Sequence, residues 1–246
     1  MNELYTYIGA GPVYLENLNA SEGLLPIGEV SKLELAIETD KKELASHVQS
    51  GGGLADVVSR IKGVNISMDI NSLSPENIAM ALYGSVTAAA SGVVVDEPHD
   101  AYPGALVSFV SPPDLAVPPV VKNTAGDTTY VVGDDYELSP AGIKIKVGGA
   151  ISAKTGIKVG YTSLAHDVIQ MLTNSGDSYR LVFEGLNEAR GDKPVSVELF
   201  KSKFDPTSGL GLIADDFGTL SLSGSVLKDT SKVGAGLSKF AKISMV

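Results

Sequence analysis

Residues 25–84 narrow the fold more than any other stretch: two alternating apolar–polar runs flank a long polar segment, and a capped helical sequence follows. In the first run Leu33, Leu35 and Ile37 alternate with Lys32, Glu34 and Glu38. In the second, Val64, Ile66, Met68 and Ile70 alternate with Asn65, Ser67, Asp69 and Asn71. A period of two sends successive side chains to opposite faces, so each run reads as a strand with one face on a core and the other toward water or a neighbour.

Residues 39–56 lie between these strands and include DKKELASHVQSGGG. The segment has no sustained apolar face, and connections this long persist in compact domains mainly where they are functional or disordered. Asp40, Lys41, Lys42, Glu43, His47 and Gln49 supply polar groups without catalytic chemistry, and Gly51, Gly52 and Gly53 permit a sharp return. The loop reads as an arm that reaches a neighbouring subunit; a plain flexible hairpin tip is the alternative.

Ser74-Pro75-Glu76 is the clearest local signal. Ser74 is an N-cap, Pro75 suits the first helical position and Glu76 complements the positive helix end. Ile78, Ala81 and Leu82 then form an apolar stripe over about three turns, and Gly84 stops the helix. So short a helix is unstable alone and must lie on a sheet.

Small residues followed by VVVDEPHDAYP mark 85–103 as a linker or long connection. Six β-rich pieces follow between 105 and 161, ALVSFV, PPVVKN, TTYVV, DYELS, GIKIKV and GIKVGY, separated by turn residues at the spacing of a sandwich module. The pattern predicts a discontinuous β-sandwich from 1–84 and 163–246, with 85–162 as a β-rich insertion, either an Ig-like module or added strands. LAHDVIQMLT at 164–173 fits helix or strand; the turn Asn174-Ser175-Gly176-Asp177 favours strand. YRLVFEGLN, PVSVELFKSKF, LSLSGSVL and the C-terminal LSKFAKISMV complete the strand set. The fold class is mainly β, with one short flanking helix.

The formal charge of −10 argues against a protein that grips phosphate backbones, because that affinity comes from Lys and Arg. It is compatible with a surface past which DNA slides. Cysteine is absent, which removes disulfides, thiolate chemistry and Cys-based zinc. The start reads as neither a signal peptide nor a membrane segment, and the expectation is a soluble chain outside secretory routes.

Enzymatic signatures are missing. Gly9-Ala10-Gly11 lacks the third glycine and the helix of a dinucleotide fingerprint. Asp96, Glu97, His99 and Asp100 read as a solvated acidic loop rather than a cation site. Asp134-Asp135 and Asp215-Asp216 read as turns, and Arg190-Gly191-Asp192 as hairpin chemistry. No catalytic residue, metal or cofactor is expected.

Two strings, IGEVSKLELAIETDKKEL…GGG…RIKGVNISMDINSLSPENIAMALYG and YRLVFEGLNEARGDKPVSVELFKSKFDPTSGLGLIADDFGTLSLSGSVLKD, resemble the two halves of major tail tube proteins of long-tailed, siphovirus-type bacteriophages. Together they cover about half the chain, by pattern and order rather than by a chemical motif. The resemblance implies a β-sandwich or partial barrel with one flanking helix. It also implies hexameric rings of the chain itself, stacked into a hollow tube in the virion tail and assembled in the host cytoplasm. The loop from Asp40 to Gly53 would contact the adjacent ring, and Glu34, Glu38 and Asp69 are candidates for a negative lumen wall past which double-stranded DNA moves without specific binding. Tape measure, tail terminator and baseplate or tip proteins are the further partners it implies. A two-part β binding module of adhesin type is the competing expectation from the residues alone.

Overall fold

In the computed structural model, which describes residues 4–20, 22–48 and 50–246, the two alternating runs pair with each other as the longest hairpin of the chain. The elements before the middle region are β1 (Gly9–Ala10), β2 (Val13–Asn17), β3 (Leu25–Pro26), β4 (Val30–Ala45), β5 (Leu54–Ile70) and helix α1 (Pro75–Ala81). The middle region contributes β6 (Ser85–Ala89), β7 (Gly92–Ala101), β8 (Leu106–Ser108), β9 (Val120–Asn123), β10 (Thr129–Tyr130), β11 (Tyr136–Ser139), β12 (Gly142–Ile145), β13 (Thr155–Ser163) and β14 (His166–Gln170). The chain ends with β15 (Tyr179–Asn187), β16 (Lys193–Phe204), β17 (Leu220–Val226) and β18 (Ala241–Met245). Strand accounts for 51% of the chain and helix for 4%, so the fold is mainly β.

The structure divides into two units, one formed by Met1–Val86 with Ile169–Val246 and the other by Thr87–Val168. The first is built on a nine-stranded sheet in the order β3-β2-β15-β16-β17-β5-β4, with β1 also on β15 and β18 also on β16. Its pairs are antiparallel throughout. β1 and β2 both pair with β15, so the N-terminal apolar pieces are one strand bent at Gly11-Pro12. A Cβ at Gly11 would lie 2.2 Å from the Glu184 carbonyl oxygen, at a φ of +150°, so the bend needs glycine.

The sheet is strongly curled. Val13 and Leu15 of β2 share one core with Ile66, Met68 and Ile70 of β5, although three strands separate them in the sheet. Leu181, Leu199, Phe204, Leu220 and Leu222 fill the space between. The curl stops short of closure: residues of β1, β2 and β4 line one cavity of about 310 Å³, but no hydrogen-bonded pairing joins β4 to them among the described residues. The result is a partial barrel with an open seam.

Helix α1 sits on this core as the cap sequence requires. Ser74 Oγ accepts from the Asn77 amide at 3.2 Å, Pro75 opens the helix, and the Gly84 amide closes it on the Ala79 carbonyl at 2.7 Å. The buried face differs from the expected stripe: Asn77, Ala79 and Ala81 are buried, while Ile78 and Leu82 are only half-buried. Asn77 takes the central position because its Nδ2 donates to Ile27 O at 2.8 Å and Ser72 O at 2.7 Å, which satisfies a polar side chain inside. The helix has 7 residues, two turns rather than three.

The second unit is a sandwich of β10-β9-β13-β7 on β11-β12-β8, with Val107, Val121, Ile143, Ile145, Ile157 and Val159 between the sheets. All six strands expected between 105 and 161 are present. The expectation of a linker at 85–103 is corrected: β6 and β7 occupy most of it. Ala, Ser and Gly diluted the apolar period there, and the exposed Val93 and Val95 gave no one-sided alternation to read. The 164–173 ambiguity resolves as strand β14.

Candidate assembly surfaces

The outward face of the first unit's sheet is laid out by register. Lys32 of β4 lies opposite Asp69 of β5, which lies opposite Ser221 of β17. Glu34, Ser67 and Ser223 form the next row, and Ala36, Asn65, Ser225 and Lys203 the third. Core residues occupy the alternate positions, so the pleat alone sorts short polar side chains to this face.

All three carboxylates expected on a wall lie here, each engaged. Glu34 Oε2 is 2.9 Å from Lys32 Nζ, and Glu38 Oε1 is 2.6 Å from Lys62 Nζ. Asp69 Oδ1 accepts from Ser221 Oγ at 2.6 Å. The Lys62 ammonium holds the Glu38 carboxyl below its usual range, and Glu34 raises Lys32 in return for its own hydrogen bond. Together with Lys203 these groups make three carboxylates and three lysines, so this part of the face is charge-balanced and rich in serine.

The candidate loop is mostly strand. Asp40, Lys41, Lys42 and Glu43 belong to β4 and pair with Arg60, Ser59, Val58 and Val57. β4 ends at Ala45 and β5 begins at Leu54, with the Ser46 amide donating to Gly53 O at 2.7 Å. His47 and Gly51, Gly52 and Gly53 lie between these strands, the glycines at φ of 126°, 72° and 132°. Gln49 lies outside the described residues. The polar composition misled because a ribbon exposed on both faces has no buried side to impose a period.

This ribbon begins at a register shift. Glu38 pairs with Gly63 and Thr39 with Ile61, leaving Lys62 as the extra residue of a bulge. Every residue of 37–45 and 54–62 beyond it is exposed. At 3.3–3.4 Å per residue the ribbon extends roughly 30 Å. Ile37, Thr39, Lys41 and Glu43 continue the face that carries Leu33 and Leu35, opposite Val64, Ile61, Ser59 and Val57. Apolar side chains therefore run out of the core onto an exposed surface, with Ile37 68%, Leu54 57% and Ile61 69% exposed. Sequence reading missed this stripe; the apolar residues of LADVVSRI are the signal that could have found it. The outer edge of β4 pairs with no other strand among the described residues.

The remaining sequence clusters have structural roles. Glu97 accepts from Val110 N at 3.0 Å and from the Tyr161 hydroxyl at 2.7 Å, with His99 Nε2 at 2.6 Å, beside a bulge at Asp96. Asp135 is buried and accepts from the Val131 and Ala150 amides, each at 2.8 Å; these bonds hold its carboxyl below the usual range. Gly191 is the left-handed residue closing a 3-10 turn between β15 and β16. Among the described residues, no group of three or more His, Asp or Glu converges as a metal site, and no helix is long and apolar enough to cross a membrane.

The model of the family described as "Protein of unknown function UCP028589" matches residues 6–244, and the chain belongs to that family. No curated protein matches it.

Proposed function

We propose that this chain is a structural subunit that assembles with copies of itself, in the manner of a phage tail tube protein. The observation that carries the reading is the ribbon. Two-stranded ribbons are marginal in water by themselves, and this one displays Ile37, Leu54, Val57 and Ile61 to solvent for about the length of a small domain. A neighbour that covers it buries those side chains.

The unpaired edge of β4 and the open seam beside it support the same reading, since exposed edges invite strand addition and ring closure removes them. Stacked rings, six subunits in each, are what the family resemblance implies. In such a tube the serine-rich, charge-balanced face is suited to a wall: short side chains and paired charges offer DNA neither a basic grip nor an uncompensated field. The subunit would then belong to a virion tail and have no enzymatic role.

Replacing residues 40–60 with Asn-Gly tests this directly. Thr39 and Ile61 stay paired and the new turn suits a two-residue hairpin. The expected product is a folded monomer that forms no rings or tubes by negative-stain microscopy under conditions where the full chain does. Tubes of normal length from the shortened chain would overturn the reading.

A further inference from the structure

The connection between β16 and β17 is anchored at both ends and exposed between them. Thr207 N donates to Ala81 O at 2.8 Å, Leu210 packs on the core, and Thr219 Oγ1 accepts from Asn71 Nδ2 at 3.0 Å. The tip between these anchors shows Leu212, Ile213 and Phe217 at 84%, 99% and 94% exposure, with Asp215 and Asp216 among them. Three large apolar side chains held almost wholly in water on a fastened loop mark a surface made for contact.

A groove of mixed charge, with one positive charge in excess, lies elsewhere on the same unit. Leu18, Arg180, Phe200, Lys201 and Lys232 line it together with Glu16 and Asp229, over about 490 Å³. Arg180 is engaged by Glu16 and Glu198, and Asp229 accepts from Ser231. Lys232 lies over the Phe200 ring at 4.6 Å, and Ser231 first, then Lys232 and Lys201, hold the Asp229 carboxyl below its usual range. Among the described residues, Lys201 and Lys232 are in no ion pair. Residues 193–242 carry seven lysines and five carboxylates, a slight positive excess in a chain whose net charge is −10.

We infer that the 212–217 tip of one copy docks in this groove on a second copy, with Asp215 and Asp216 meeting Lys201 and Lys232 and with Ile213 and Phe217 packing on Leu18 and Phe200. The two patches differ and sit on one chain, so the contact is head-to-tail. Contacts of that kind build rings or filaments rather than closed pairs. The inference rests on the self-assembly proposed above but uses surfaces distinct from the ribbon.

Charge reversal tests it. Asp215→Lys with Asp216→Lys, and separately Lys201→Glu with Lys232→Glu, should each raise the concentration for half-assembly about tenfold or more, read by sedimentation velocity and microscopy. Combining all four should return it to within about threefold of the unmodified chain, a rescue that general damage would not give. Ile213→Ser with Phe217→Ser should abolish assembly and leave the melting temperature of the monomer unchanged.

If the reversals leave assembly unaltered while the ribbon deletion abolishes it, the docking falls and the assembly reading stands. If the unmodified chain stays monomeric at millimolar concentration, both fall. If the lysine reversals change only retention on a DNA column, the groove serves a polyanion and the docking is overturned.

Discussion

Lys62 Nζ lies 2.6 Å from Glu38 Oε1 at the bulge where the ribbon leaves the body, so an ion pair spans the joint between a packed sheet and an exposed arm. Both side chains are well exposed, and such pairs add little to stability. Lys62→Glu should therefore leave the thermal midpoint of the monomer unchanged. It should instead alter the set of the arm, seen as a reduced yield of the proposed assemblies at constant helical and sheet content by circular dichroism.

Asn77 joins the helix to the strand connections on either side, through Ile27 O and Ser72 O. Asn77→Ala strands the buried Ile27 carbonyl and the partly buried Ser72 carbonyl and should cost about 2–3 kcal/mol in urea denaturation. Ser74→Ala removes only the cap and should cost about 1 kcal/mol.

Gly224 of β17 faces β16 so closely that a Cβ would sit 2.3 Å from Lys203 O and 2.7 Å from the Phe204 Cα. Backbone cannot give way as a flexible side chain does. Gly224→Ala should destabilise the first unit by about 1–3 kcal/mol, measured by chemical denaturation.

Asp135 gives the second unit an acid limit. Its carboxyl is held below the ordinary value of 3.8 by two amide hydrogen bonds. A group with a lowered folded pKa contributes stability that is fully present above the unfolded value and is lost as pH falls through the folded one. Stability should therefore drop below about pH 4. Asp135→Asn should be less stable near neutrality and should flatten that part of the profile, as followed by tyrosine fluorescence.

The sequence was legible where one face of an element is buried. Ile66, Met68 and Ile70 alternate because a core demands it, and Ser74-Pro75 caps α1 because orphan amides demand it. It was misread where both faces met solvent. Asp40 to Glu43 are paired strand residues with nothing behind them, and Val93 and Val95 of β7 point outward. Asn77 escaped notice because its value lies in two backbone carbonyls, one of them contributed by Ile27, 50 residues away. Glu34, Glu38 and Asp69 lie on the face that alternation assigns them, with Lys32 two residues from Glu34 on the same strand, but the Lys62 partner of Glu38 depends on a bulged register that alternation alone does not give.

The strands β6 and β14 hydrogen-bond to each other, so the path into the second unit and the path out of it run side by side. An insertion whose ends meet can be lengthened, exchanged or excised without moving the host's own strands. The middle of this chain therefore occupies a position where a change in its length need not displace the strands on either side.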